Sequence, residues 1–226
     1  MCGRYGISVS REELKQYLNK NYDIHILDES ITLPRYNISP GQNTISLINN
    51  GSNYHVGLLR WGFVPEWAKD ENIGYKMINA RIESLDSKPA YKKSFYQRRC
   101  VIIASGFFEW HRNSSTKTPY YFYLKDKDIF GFAGLWTVYK RKDGSKLYTS
   151  TIITKEATSL MKDIHNRMPV ILSETEAKQW LDPKIKDRNI LMTILQKQSY
   201  NNLSLHQVSK RVNQVINDDE SIIKSV

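Results

Sequence analysis

The chain has 226 residues, 40% of them hydrophobic and 12% aromatic, which suffices for an ordinary core without metal or disulfide support. It lacks an apolar run of roughly 18 residues, a signal-peptide pattern and a Cys-x-x-Cys spacing, which excludes membrane spans and predicts a protein of the bacterial cytoplasm or nucleoid. Its 33 basic and 23 acidic residues give a net charge of +10, which either favours a polyanionic partner or serves solubility alone.

Five segments are predicted to be helices, the first because Ser10 and Glu13 have the spacing of a capping box. The segments are residues 10–20, 88–99, 155–162, 173–181 and 187–196. Between them lie runs rich in β-branched and aromatic residues, namely TISLI, YHVGLLRWGF, CVIIAS, FFEWHR, YYFYL, FGFAGLWTVYK, KLYTSTIIT and LSLHQV. A turn sequence at 142–145 separates two of these runs and favours a hairpin.

These elements predict an α+β fold, with a curved, mainly antiparallel, barrel-like β-sheet at its core and helices at its periphery. No linker or repeat divides the sequence. We therefore expect a single domain over residues 1–226, ending in a short C-terminal tail at about 217–226.

The N-terminal sequence MCGRY places Cys2 directly after the initiator methionine. Removal of Met1 leaves Cys2 with a free α-amine and a thiol on adjacent carbons. Such an aminothiol condenses with an aldehyde, because the amine forms a Schiff base and the thiol then closes a five-membered thiazolidine. Both groups are nucleophilic near neutral pH, since their usual pKa values are about 7.7 to 8.0 and about 8.5. The alternative is that Cys2 belongs to a frayed chain end.

The sequence YKMINARIES alternates between polar and apolar residues, which predicts a half-buried strand with Asn79, Arg81 and Glu83 on one face. The Asn79 amide can hydrogen-bond a sugar, and the planar guanidinium of Arg81 matches a phosphate. An ordinary solvated strand face explains the same pattern.

Two further stretches contain candidate acids and bases. In SGFFEWHR, Glu109 lies among aromatic residues and suits general acid–base catalysis. In IHNRMPVIL, Pro169 favours an extended backbone, so that His165 and Arg167 point to the same side. Histidine suits proton transfer and arginine suits phosphate binding. A solvent-facing glutamate and a structural histidine are the simpler explanations.

Aromatic and basic segments favour nucleic acid as the partner. RWGFVPEWA contains Trp67 near a proline, where an exposed ring can stack on a base. Lys88, Lys92 and Arg99 share one face of the second predicted helix, although such faces are usually just solvated. The five histidines lack zinc-binding spacing, so we expect neither a metal nor a cofactor.

Taken in order, MCGRY, RYNISP, RWGFVPEWA, NARIES, RCVIIASGFFEW, AGLW, TIIT and IHNRMPVIL resemble the signature blocks of the SRAP (SOS response-associated peptidase) domain family. The resemblance extends from Met1 to about Val208. It implies an enzyme that shields abasic sites in single-stranded DNA by trapping the aldehyde of the ring-opened sugar on Cys2 as a thiazolidine. That mechanism depends on the removal of Met1.

The resemblance also assigns roles to individual residues. It implies that Glu109 shuttles protons, that His165 acts as acid or base at the sugar, and that Asn79 holds the sugar and the N-terminal amine in register. It implies contacts with the DNA strand for five more residues: Arg4, Arg81 and Arg167 at phosphates, and Asn37 and Trp67 along the strand's path.

Two other functions remain open at this point. One is an N-terminal-nucleophile hydrolase, exposed by autoproteolysis, in which the Cys2 thiolate attacks an amide and its own amine or His165 is the base. The other is a noncatalytic single-strand binder that uses its basic surface and tryptophans. We expect the protein to act as a monomer on single-stranded DNA containing abasic sites.

Overall fold

Most of the framework is β-strand. The computed structural model describes residues 2–113, 116–197, 200 and 202–226. The strands are Arg4–Ile7 (β1), Arg35–Ile38 (β2), Asn43–Asn49 (β3), Tyr54–Trp61 (β4), Asn79–Arg81 (β5), Arg99–Ala104 (β6), Gly106–Asn113 (β7), Thr116–Leu124 (β8), Phe130–Lys140 (β9), Lys146–Glu156 (β10), Arg167–Pro169 (β11), Ile171–Leu172 (β12) and Leu203–Gln207 (β13).

The α-helices lie outside the sheets and are Arg11–Tyr22 (α1), Pro89–Gln97 (α2), Ser159–Lys162 (α3), Glu174–Leu181 (α4) and Arg188–Gln196 (α5). The predicted capping box at Ser10 and Glu13 is confirmed. The predicted helix at 155–162 is wrong in its first half, because β10 continues to Glu156 and pairs with β11. No helix in the described segments is long and apolar enough to cross a membrane.

One of the two sheets closes on itself. Strand β10 pairs with β4 and β9, and the pairings β4–β3, β3–β6 and β6–β9 complete a ring of five strands. Only the pairings of β10 with β4 and β5 are parallel among those of the described strands. The prediction of a single α+β domain around a curved, mainly antiparallel, barrel-like sheet is therefore confirmed, as is the hairpin between β9 and β10.

The second sheet has the order β13-β8-β7-β1-β2 and holds the N-terminal strand between two neighbours. Strand β1 approaches β2 so closely that a Cβ on Gly6 would lie 2.8 Å from the carbonyl oxygen of Tyr36. The ring of Tyr5 packs edge-on against Trp61 and Phe132, which belong to the other sheet. Cys2, two residues before β1, is thereby held in the core near the junction of the two sheets.

The last residues of the chain pack against the outside of the second sheet. Residues 209–226, here called the C-terminal strap, contain two 3₁₀ helices, Lys210–Asn213 and Glu220–Ile223. Val212 and Ile222 are fully buried in a cluster with Phe108 and Tyr121. The segment expected to be a short tail is thus an ordered part of the domain.

Arg99 is a buried guanidinium that holds α2 and α4 to the barrel. It donates hydrogen bonds to five carbonyl oxygens, those of Phe95, Tyr96, Trp180, Asp182 and Ile185. Burial lowers its pKa to about 10.

Arg99→Lys should reduce the free energy of unfolding by about 3 kcal/mol in urea denaturation, since a compact ammonium cannot reach all five acceptors. Arg98→Lys, at a partly exposed ion pair with Glu66, should cost under about 1 kcal/mol. Equal losses of unfolding free energy in the two variants would contradict this expectation.

Candidate active site

Segments that are distant in sequence line one cavity at the junction of the sheets, and Asn79, next to the cavity residue Ile78, is hydrogen-bonded to Cys2. Cys2 lies two residues before β1, Asn79 begins β5, Glu109 lies in β7 and His165 lies two residues before β11. The cavity has a volume of about 470 Å³, and its walls include Arg81, Glu109, Trp110, Lys117, His165 and Arg167. Because these residues are distant in sequence, only the folded chain brings them together.

Cys2 is an anchored residue, not a frayed end. It is 1% exposed, and the Asn79 Nδ2 atom donates a hydrogen bond of 2.8 Å to its carbonyl oxygen. Its Sγ atom lies 3.9 Å from the Arg4 carbonyl oxygen. Burial raises the pKa of the Cys2 thiol, and the nearby Glu109 carboxylate raises it further. The thiol is therefore protonated at neutral pH, and its reaction requires a base.

This environment predicts how the thiols respond to alkylation. Cys2 and Cys100 are both buried, and burial raises the pKa of both thiols. In native protein that retains Met1, iodoacetamide should react with each much more slowly than with free cysteine. The rate should keep rising above pH 9, where a free thiol of pKa about 8.5 levels off. Mass spectrometry against pH measures this, and rapid labelling of Cys2 at pH 7 would contradict it.

Glu109 and His165 are the two cavity residues with side chains of the kind that transfer protons. Glu109 is 5% exposed in the middle of β7, where it lies opposite Tyr120 of β8. The backbone N–H of Arg167 donates to His165 Nδ1 over 3.0 Å. Because Nδ1 accepts this hydrogen bond, the proton of a neutral His165 ring is assigned to Nε2. The cavity therefore holds a carboxyl group and an imidazole N–H, and the charge of Glu109 acts on the Cys2 thiol.

The cationic residues of the site differ in how strongly they are already engaged. Arg81 is exposed at the cavity wall. The side chain of Arg167 is 12% exposed, and it binds Glu83 through two hydrogen bonds of 2.7 and 3.0 Å and the Thr154 carbonyl oxygen through one of 2.6 Å. Arg81 is thus available to an anion, whereas Arg167 must first release Glu83.

Arg4 is half-buried. Its Nη1 atom donates to Asn37 Oδ1 and to the Val212 carbonyl oxygen, both over 2.6 Å. Its guanidinium lies 6.0 Å from the ring centroid of Trp110, within cation–π range. Burial lowers the pKa of Arg4. Arg4 is therefore held from two sides, by Asn37 and by the C-terminal strap.

One expectation for this region is wrong, and a second concerns a residue that is buried. Glu83 does not continue the strand of Asn79 and Arg81, because β5 ends at Arg81 and a 3₁₀ helix follows at Ile82–Ser84. Asn37 is 0% exposed, and its amide is used by Arg4 and by three carbonyl oxygens of the strap. In this conformation Asn37 has no surface to offer a DNA strand.

Other residues lie where sequence reasoning did not place them. Trp67 is 63% exposed in the loop after β4, outside the cavity walls given above. Trp110 and Lys117 are cavity residues that the sequence analysis missed. Trp110 directly follows Glu109 in β7. Lys117 reaches the site through the pairing of β7 with β8, which spacing alone does not reveal.

Within the described ranges, no group of three or more His, Cys, Asp or Glu side chains is arranged to hold a metal ion. The cavity walls include a carboxyl group, an imidazole and several cations, and a thiol and an amide lie beside them. Groups of these types can transfer protons and bind anions.

Comparison with known proteins identifies the class of protein that has this fold and this cavity. The sequence model of the SOS response associated peptidase (SRAP) family matches residues 1–215, and the chain belongs to this family. It is 43% identical over 226 residues to the abasic site processing protein YoqW of Bacillus subtilis (strain 168), with both chains fully covered. It is 31% identical to the abasic site processing protein HMCES of Xenopus tropicalis, covering all of this chain and 78% of the relative.

A solved structure supports the same fold. An X-ray crystal structure of a protein from Bacteroides thetaiotaomicron is similar with a TM-score of 0.85 and 25% sequence identity, and the similarity covers both chains completely.

Proposed function

We propose that this protein processes abasic sites in DNA by binding a single-stranded segment and trapping the ring-opened sugar covalently on Cys2. One observation carries the proposal: Asn79 fixes the Cys2 backbone over 2.8 Å beside a cavity whose walls include Glu109 and His165. The relatives YoqW and HMCES are named abasic site processing proteins, which supports the same substrate. Met1 lies outside the described residues, and its removal is part of the proposal.

The chemistry follows from the two nucleophiles of a processed Cys2. The α-amine adds to the C1′ aldehyde, and the resulting carbinolamine loses one water to give an imine. The Cys2 Sγ atom then bonds to the same carbon, while the thiol proton ends on the nitrogen. The product is a five-membered thiazolidine, and the only leaving group is water. No oxidant or reductant takes part.

The environment of Cys2 explains why this chemistry needs a base. Burial raises the pKa of the thiol, so the free thiolate is scarce at neutral pH. Glu109, whose charge acts on this thiol, can first donate a proton to the departing hydroxyl and then, as the carboxylate, carry the thiol proton to the nitrogen. His165 can donate from Nε2 to the sugar ring oxygen, which favours the open aldehyde over the closed sugar.

Binding of the DNA strand rests on the cations around the cavity. Arg81 and Lys117 line its wall, and Arg4 lies behind Trp110. Within the described ranges, Arg81 and Lys117 have no salt-bridge partner. Phosphates can therefore approach them without displacing a carboxylate. The exposed ring of Trp67 offers a stacking surface farther along the strand.

Arg167 provides a quantitative check on this arrangement. Glu83→Gln removes the carboxylate that occupies the Arg167 guanidinium, so Arg167 becomes free to bind a phosphate. Affinity for single-stranded DNA should rise by roughly fivefold at low salt, and the slope of log K against log salt should steepen by about 0.7. Fluorescence anisotropy over a salt series measures both. In an Arg167→Ala background the same substitution should change the slope little, and an equal change there would refute this role.

Intact-mass spectrometry tests the proposed function directly. Purified protein mixed with an oligonucleotide containing one abasic site should gain the mass of the oligonucleotide minus one water, and only molecules that lack Met1 should react. An oligonucleotide with a tetrahydrofuran analogue, which has no aldehyde, should give no adduct. If protein without Met1 stays unmodified while free aldehyde is present, the proposal is wrong.

A further inference from the structure

The C-terminal strap reaches the candidate active site through residues beyond the family match. That match ends at residue 215, yet Asn217 and Asp218 bind directly to strand β2. Asp218 Oδ1 accepts hydrogen bonds from the backbone N–H groups of Tyr36 and Asn37, the second over 2.8 Å. Asp218 Oδ2 accepts from Arg35 Nε over 2.6 Å. The Asp218 carboxylate therefore holds Arg35, Tyr36 and Asn37, the first three residues of β2.

Asn37 connects this anchor to the N-terminal strand. Its Nδ2 atom donates to the carbonyl oxygens of Val212, Gln214 and Asn217, at 3.3, 3.1 and 2.6 Å. Its Oδ1 atom accepts the Arg4 hydrogen bond of 2.6 Å. Because Asn37 is fully buried, its orientation is set by these contacts and not by solvent.

The strap also fixes the aromatic surface beside Arg4. Trp110 Nε1 donates to Asn213 Oδ1 over 2.8 Å, and the Arg4 guanidinium lies 6.0 Å from the Trp110 ring centroid. The Val212 carbonyl oxygen contacts Arg4 itself. The strap thus contacts Arg4 directly, holds it through Asn37 and sets the ring beside it.

The bonds to Arg4 orient it without neutralising it. Both acceptors on Nη1 are uncharged, and no carboxylate in the described ranges forms a salt bridge with Arg4. A half-buried guanidinium with only neutral acceptors retains a strong attraction for an anion. Arg4 lies two residues from Cys2, so the anion that it can hold near the reaction is a phosphate beside the trapped sugar.

We propose that the C-terminal strap is a positioning element of the DNA site, in which Asp218 and Asn37 orient Arg4 toward a backbone phosphate. This inference rests on the proposed function, because it presumes that the cavity receives a DNA strand. It assigns Asn37 a positioning role in place of a DNA contact. It also makes the residues beyond the family match part of the site.

A double-mutant cycle separates this role from general stabilisation. The probe is a single-stranded oligonucleotide with a tetrahydrofuran abasic analogue, which binds without crosslinking. Arg4→Ala should weaken binding about tenfold and reduce the salt slope by about 0.7, the loss of one phosphate contact. Asp218→Asn should weaken binding about threefold in the wild-type background and by less than about 1.5-fold in the Arg4→Ala background, since coupled residues are not additive.

Asp219→Asn is the matched control. Asp219 is the next residue and undergoes the same change of charge, but it binds only Arg211 and Ser221 within the strap. It should leave affinity and salt slope unchanged. The inference is overturned if Asp218→Asn weakens binding as much in the Arg4→Ala background as in the wild-type background. It is also overturned if Asp219→Asn weakens binding as much as Asp218→Asn does.

Two further measurements, of stability and of adduct formation, complete the test. Thermal unfolding measures the stability of each variant. If Asp218→Asn fails to fold, Asn213→Ala takes its place, because it removes only the hydrogen bond to Trp110. Its effect on binding must then also be smaller in the Arg4→Ala background than in the wild-type background. Wild-type protein is also tested for adduct formation with a true abasic site. If it binds the analogue but forms no adduct, the proposed function fails, while the binding cycle still decides the role of the strap.

Discussion

Cys2→Ser is expected to abolish the durable adduct between the protein and abasic DNA. The serine variant keeps the α-amine and can still form an imine. Its hydroxyl gives an oxazolidine, which is much less stable than a thiazolidine and reverts to aldehyde. Denaturing gels and intact-mass spectrometry should therefore show complete loss of the stable product, although reduction with borohydride should still capture the imine.

Cys100→Ala is the matched control for this experiment. Cys100 is the other cysteine of the chain and is fully buried in β6, so its removal should leave the adduct yield unchanged. The result also separates two functions. An N-terminal-nucleophile hydrolase should retain partial activity with serine as its nucleophile, whereas a thiazolidine-forming protein should not. A stable adduct in the Cys2→Ser variant would rule out the proposed linkage.

Glu109→Gln should slow adduct formation by about 10²- to 10³-fold, the usual contribution of a general acid–base residue. Glutamine keeps the shape of the side chain but cannot donate a proton to the departing hydroxyl or accept the thiol proton. Single-turnover rates on an abasic oligonucleotide measure the loss. Affinity for the tetrahydrofuran analogue should not fall, because the substitution removes a negative charge from the DNA site.

A second buried glutamate provides the control for Glu109→Gln. Glu176 is 2% exposed and caps α4 through Ser173, on a helix that packs against β6 and β9 of the barrel and against β12 beside it. Glu176→Gln should lower the melting temperature without slowing adduct formation by folded protein. If the two variants lose rate in proportion to their loss of stability, Glu109 has only a structural role.

Much of the fold could be predicted from local signals. The capping box fixed the start of α1, and the turn at 142–145 fixed the hairpin of β9 and β10, because both depend on residues a few positions apart. The helix predicted at 155–162 failed because tertiary pairing with β11 keeps residues 155 and 156 in a strand. The closure of the barrel through the parallel pairing of β10 with β4 has no local signal at all.

The candidate site, like the fold, was only partly predictable from the sequence. Cys2, Asn79, Glu109 and His165 were singled out by residue type and motif, and the structure brings their segments to one cavity, while their roles remain predictions. Lys117 and the strap were missed because their approach to the site depends on strand pairing and on contacts across more than 170 residues. Composition records such residues only as ordinary surface charge.

The anchoring of Cys2 also sets an order of events in the life of the protein. An aminopeptidase must draw the first residues of its substrate into its own active site, which a residue with 1% exposure and a bonded carbonyl group does not permit. Maturation therefore belongs to the nascent chain, before β1 is inserted between β2 and β7. Under the proposed function, protein that folds with Met1 in place cannot form the thiazolidine, so the crosslinking fraction would be set while the chain is being made.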